Sequence, residues 1–244
     1  MNAPLSAAQS LAQDNFKRLA ANRYPGRGIV IGQSSSGFWV QLYWIMGRSP
    51  ASRARVLVQE GSQVRSQATQ AMPGQDQSLL VYAAMDAVRN RHVVSNGDHT
   101  DQVIQLMKNG RDFRNAIWGM EYEPDPPNLT PRIVGVLEVR GDGAGAWLGV
   151  VKPNILDGST LRCSYDYEEL SPGLGWCITT YAGDGAPPPA FAGEPLLLPL
   201  EGDEQALASA YWEALHAENR VALAVKRVEA GNTASHLTIV NRRE

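Results

Sequence analysis

The sequence predicts an α/β chain folded as two sheets with helices flanking them. Three observations carry that expectation. Residues 38–46, Phe-Trp-Val-Gln-Leu-Tyr-Trp-Ile-Met, are apolar almost throughout, as a strand covered on both faces must be. Runs of strand-like segments on either side of a helical apolar period at 100–117 suggest two sheets rather than one. Residues 203–218 carry Ala206, Leu207, Ala210, Tyr211, Ala214 and Leu215 on one stripe, the pattern of a helix lying on a sheet.

Taken in order, residues 6–22 read as a surface helix with a weak stripe of Leu11, Phe16 and Leu19. The expected organisation is therefore a helical extension over 1–23 and one domain over 24–244, long enough to bury a sizeable core. Residues 29–32 and 38–46, joined by the small-residue loop 33–37, form a hairpin pattern. Arg48, Arg53 and Arg55 then crowd one loop, and guanidinium forks match phosphate, carboxylate or amide oxygens. Extended structure resumes at 56–58. Residues 61–77 are polar and aperiodic, and 78–88 fit a short helix or a strand with Tyr82 as the one polar tip.

Val93 and Val94 end a buried strand, after which Asn96 and Gly97 can take the positive φ of a tight turn. Asp98 or Thr100 can cap the helix that follows, whose first backbone N–H groups suit an anion. A proline-stiffened loop at 120–132 gathers Glu121, Glu123 and Asp125. Strands are expected at 133–139 and 146–151 around a turn at 141–143, then at 161–167, 176–181 and 236–240.

Composition excludes several classes. The net charge is −3 and the basic residues are scattered, which argues against a nucleic-acid partner. Cys163 and Cys177 lack metal-ligand spacing and are too few for a disulfide framework, so no metal is expected. No apolar run approaches the ~20 residues of a membrane span, and no secretory signal pattern opens the chain. A cytoplasmic protein without membrane contact is the expectation.

Three segments, in order and spacing, resemble the archaeal-type inosine monophosphate (IMP) cyclohydrolase family and its bacterial relatives: Tyr-Pro-Gly-Arg-Gly-Ile-Val-Ile-Gly at 24–32, Val-Ser-Asn-Gly-Asp-His-Thr-Asp at 94–101, and Tyr-Glu-Pro-Asp at 122–125 with Asn-Leu-Thr-Pro-Arg at 128–132. The loop carrying Arg48 and Arg53 resembles the family's corresponding loop, so the likeness spans roughly residues 24–151. It implies a four-layer α/β/β/α sandwich like that of N-terminal nucleophile hydrolases. It also implies closure of 5-formamidoimidazole-4-carboxamide ribonucleotide to IMP and water without a cofactor, by a homo-oligomer. At matching positions it implies Arg53, Tyr82 and Glu123 as the reacting centre: Arg53 to polarise a carbonyl, Tyr82 to donate to the oxyanion and Glu123 to carry protons. Arg27, Arg48, Asn96, Gly97, His99, Thr100 and Arg132 are the candidates for holding ribose and phosphate. The alternatives are a related enzyme acting on another formamide or imidazole ring, and a non-catalytic purine-nucleotide-binding protein. An N-terminal nucleophile mechanism needs a Cys, Ser or Thr that the chain does not offer before its first strand, where Tyr24 stands.

Overall fold

The computed structural model describes residues 3–70, 80–141, 143–229 and 236–242. Residues 71–79 and Asp142 lie outside these, and with them the expectations for the start of the 78–88 segment and the tip of the 141–143 turn.

The chain forms a mixed α/β structure with two large antiparallel sheets and few helices. The six-stranded sheet contains β1 (Gly28–Gln33), β2 (Trp39–Met46), β10 (Leu174–Thr179), β11 (Leu196–Pro199), β12 (Arg220–Val228) and β13 (His236–Asn241), in the order β11-β10-β1-β2-β12-β13. The seven-stranded sheet runs in sequence order through β3 (Arg55–Glu60), β4 (Gln63–Ala68), β5 (Tyr82–Val88), β6 (Arg91–Ser95), β7 (Arg132–Arg140), β8 (Gly143–Pro153) and β9 (Thr160–Tyr167).

The apolar alternation of the central strands decides how these sheets pack. On β2, Trp39, Tyr43 and Ile45 join Ile29 and Ile31 of β1 against Val94, Leu137 and Leu148 of the other sheet. Leu42, Trp44 and Met46 face away, onto the helices α1 (Ala3–Ala21) and α5 (Glu204–Ala214) through Leu19, Leu207 and Tyr211. Every residue of β2 is buried, as the unbroken apolar run required. The outer face of the seven-stranded sheet is covered by α3 (His99–Lys108) and α4 (Phe113–Trp118), with Val93, Val134 and Val136 under Ile104, Met107 and Ile117. Gly28 is needed where it stands: a Cβ there would lie 2.0 Å from the Trp44 ring.

Several local expectations change. The helical period over 100–117 is two helices, interrupted where Gly110 takes φ +76°. Neither Asn96 nor Gly97 has positive φ; Gly97 is accommodated by space, since a Cβ would stand 3.1 Å from His99 Nδ1. Asp98 occupies the N-cap of α3 without a side-chain cap bond, its carboxylate being drawn to Arg132 instead. The arginine loop contains a one-turn helix, α2 (Pro50–Arg53), closed by a capping box between Ser49 and Ser52. The polar stretch after residue 61 includes β4, whose Val64 and Ser66 face inward on a hairpin partner of β3. Arg220–Val228, read as no element from sequence, is a central strand paired with β2 along its length. Among the described residues no helix is long and apolar enough to cross a membrane.

Candidate active site

Glu123 defines the site. It leaves α4 on the proline-stiffened loop, and its backbone N–H donates to Thr130 O, folding the loop back on itself. Asp125 fixes the return by accepting from the Thr130 backbone N–H at 2.6 Å and from its hydroxyl at 2.5 Å. The Glu123 carboxylate is thereby held with only 4% of the residue exposed. Burial pushes its pKa above the usual 4.5, against the pull of the Arg27 guanidinium beside it.

Arg27 reaches Glu123 from the residue before β1, its Nη2 donating to Oε1 at 2.7 Å. Its Nε is buried with no protein partner among the described residues. Asn96, at the end of β6, donates from Nδ2 to the same Oε1 at 3.1 Å and to Pro131 O at 3.0 Å, while its Oδ1 accepts from Ile133 N at 2.7 Å. One amide thus ties the end of one strand, the start of the next and the carboxylate together. The sequence placed these three residues in separate motifs, and the sheets bring them within hydrogen-bond distance.

A cavity of about 270 Å³ opens onto this pair. Its walls include Tyr24, Arg27, Arg48, Arg55, Glu123 and Tyr181. Tyr24 and Tyr181 stack with ring centres 5.7 Å apart, and the Arg48 guanidinium lies 4.5 Å from the Tyr24 ring centre while its Nη1 meets Asp184 at 2.6 Å. The Tyr181 hydroxyl shares a 2.7 Å hydrogen bond with that of Thr130.

The remaining candidates sort into three places. Tyr82 is buried, and its hydroxyl is 2.7 Å from that of Tyr43; it lies in the core between the sheets. Arg53 is not among the residues that wall the cavity. Its Nε donates to Gly47 O at 3.0 Å and its Nη2 to Asn219 at 3.3 Å, while Arg55, two residues on, is among the residues that wall the cavity with Glu123. Gly97, His99, Thr100 and Arg132 stand behind Asn96. Arg132 Nη1 meets Asp98 and donates to His99 Nδ1 at 2.9 Å, leaving His99 Nε2 to donate to Ile133 O at 3.1 Å. Thr100 bonds to Ser95. Arg132 and His99 border a different cavity of about 320 Å³ with Glu121 and Tyr122.

Sequence reasoning missed Arg55 and Tyr181 as residues of the cavity. Arg55 was visible as the third arginine of its loop, but only the helical turn over 50–53 decides which guanidinium faces inward. Tyr181, beyond the end of β10, carried no local signal. At the start of α3 the N–H groups of Thr100 and Asp101 turn to Gly97 O and Asp98 O.

His99 lends itself to a direct check. Burial, reinforced by Arg132, depresses its pKa from 6.5 to about 3, so it is neutral in the fold. The unfolded chain binds this proton below pH 6.5 and the folded chain does not until about pH 3, so stability is lost as pH falls through that window. Urea unfolding at pH 7, 6 and 5 is expected to show the decline, with a slope shallower by up to about 1.4 kcal/mol per pH unit in His99→Gln. An unchanged slope would remove His99 from the account.

Among known proteins, the family profile described as "IMP cyclohydrolase-like protein" matches residues 24–232. The IMP cyclohydrolase of Methanosphaera stadtmanae is 27% identical over 169 residues, which cover 65% of this chain and 73% of that one. The IMP cyclohydrolase of Methanothrix thermoacetophila is 29% identical over 175 residues, 70% of this chain and 80% of the relative. That of Methanocella arvoryzae is 28% identical over 141 residues, 56% of this chain and 67% of the relative. With a match over most of its length, the chain belongs to the IMP cyclohydrolase-like family.

Proposed function

We propose that this protein is an IMP cyclohydrolase, an enzyme that closes 5-formamidoimidazole-4-carboxamide ribonucleotide to IMP and water. The observation that carries this from the structure is the buried Arg27–Glu123 pair at the floor of a cavity walled by tyrosines and arginines.

Ring closure forms a bond between the carboxamide nitrogen and the formyl carbon, and then breaks the bond from that carbon to the formyl oxygen. The oxygen leaves as water with one proton from the carboxamide nitrogen and one from the formamido nitrogen. A group that accepts a proton and returns it to the departing oxygen serves both steps, and a buried carboxylate with raised pKa is suited to that exchange. Glu123 takes this role. Arg27 keeps enough charge on Glu123 for it to act as a base, and its unpaired Nε supplies a donor at the cavity floor. Arg55, in the place first given to Arg53, polarises the formyl or amide oxygen. Tyr82 acts through its hydrogen bond to the Tyr43 hydroxyl. The Tyr24–Tyr181 stack provides the flat wall for the imidazole ring, and Arg48 closes it. Asn96, with Gly97, His99, Thr100 and Arg132 behind it, positions Glu123 rather than gripping phosphate directly.

The same proposal takes residues 24–244 as one domain with the first 23 residues as a helical extension. It assigns the layers to the α/β/β/α class that resembles N-terminal nucleophile hydrolases, supported by three separate apolar layers between helices, sheets and helices. A cytoplasmic location and a homo-oligomer are part of it, the exposed Trp118, Ile155 and Leu156 being apolar side chains that an interface between copies would cover. The decisive experiment follows the absorbance change when purified protein meets the formamido ribonucleotide. Tight nucleotide binding without product would sink the enzyme assignment and favour a binding protein.

A further inference from the structure

We propose that a second cavity, adjoining the first and walled by Arg53, Arg55 and Arg242, binds a phosphate monoester dianion. This cavity measures about 640 Å³, and its other polar side chains are those of Thr69 and Gln70. Among the described residues no carboxylate lines it.

Arg27, Arg48 and Arg132 around the neighbouring cavities are each ion-paired, whereas Arg53, Arg55 and Arg242 have no carboxylate partner among the described residues. Their protein contacts are neutral oxygens: Gly47 O and Asn219 Oδ1 for Arg53, Ser52 O at 3.0 Å for Arg55, and Glu218 O at 2.7 Å for Arg242. These bonds aim the forks and leave further N–H donors of each unbonded. Arg55 is only 3% exposed, so it is a desolvated cation rather than a solvated surface charge. Three like charges around one concavity repel, and a dianion with three terminal oxygens relieves that repulsion while accepting from all three forks.

Arg55 also walls the first cavity. That cavity, at about 270 Å³, falls just under the ~300–1,000 Å³ of ordinary small-molecule sites. A ribonucleotide with its reacting ring beside Glu123 therefore has reason to extend past Arg55, placing its 5′-phosphate in the arginine cavity. This identification of the dianion rests on the cyclohydrolase assignment; the capacity to bind phosphate does not.

Isothermal titration of the whole protein with inorganic phosphate tests the site itself. Saturable binding is expected, weakened about tenfold or more in each of Arg53→Gln and Arg242→Gln, the cost of losing a charge-assisted hydrogen bond. Absence of saturable binding in the parent, or binding in both variants as tight as in the parent, overturns the proposal. Repeating the titration with saturating IMP distinguishes the source of the dianion. Loss of phosphate binding supports the nucleotide's own phosphate, with KM raised about tenfold and kcat retained in Arg242→Gln. Phosphate binding undiminished by IMP overturns the nucleotide identification and leaves a site for a separate phosphate ligand. Phosphate binding in a protein without turnover counts against the cyclohydrolase assignment alone.

Discussion

Glu123→Gln is expected to lower kcat by about 10²- to 10⁴-fold, the scale of a lost general acid–base, while nucleotide affinity stays close to that of the parent. Glutamine keeps the shape of glutamate and an oxygen that can accept from Arg27 Nη2 and Asn96 Nδ2, so the cavity is preserved. What it removes is the exchangeable proton. The pH profile separates proton transfer from mere positioning. Because burial raises the Glu123 pKa above 4.5, the basic form is gained as pH rises through that higher value, and the acid limb of kcat/KM should sit above pH 4.5. In the variant that limb should flatten. A kcat within about tenfold of the parent, with the limb unchanged, would transfer the proton chemistry to another group.

Arg27→Met is expected to destabilise the fold by about 3–5 kcal/mol, because it strands a buried carboxylate whose nearest charge partner is gone. For a chain of this size that is a fall in Tm of about 6–20 °C. Two features of the loss identify its cause. It should shrink as pH is lowered, since Glu123 freed of Arg27 takes up a proton and no longer buries a charge. It should also shrink in the double variant with Glu123→Gln, because removing both charges leaves nothing unpaired. Additive losses in that cycle would mean that Arg27→Met costs stability through lost side-chain packing, and not chiefly through the stranded carboxylate.

The sequence by itself determined the class of fold and the family. The unbroken apolar run of β2 required a strand buried on both faces, and the stripe on α5 required a helix lying on a sheet. Hairpin and strand expectations at β1–β2 and β7–β8 depended on neighbours close in sequence, where alternation and turn residues act locally. Three short motifs sufficed to identify the family because their residues converge in space, with Arg27, Asn96 and Glu123 meeting on one carboxylate oxygen.

Only the tertiary structure decided which residues face the cavity. Arg53 and Arg55 look alike in a loop of arginines, and the turn of α2, set by the Ser49–Ser52 capping box, turns one aside and the other inward. In the polar segment 94–101, read as a possible anion site, Asn96 and His99 spend hydrogen bonds on Pro131, Ile133 and Arg132, which arrive from β7 and the residues just before it. β12 left no legible pattern, since a central strand is defined by partners far away in the chain, here β2 and β13. Local propensity and patterning fix elements and faces. Long-range pairing between sheets fixes which of several chemically equivalent side chains share one cavity, and no local signal encodes that choice.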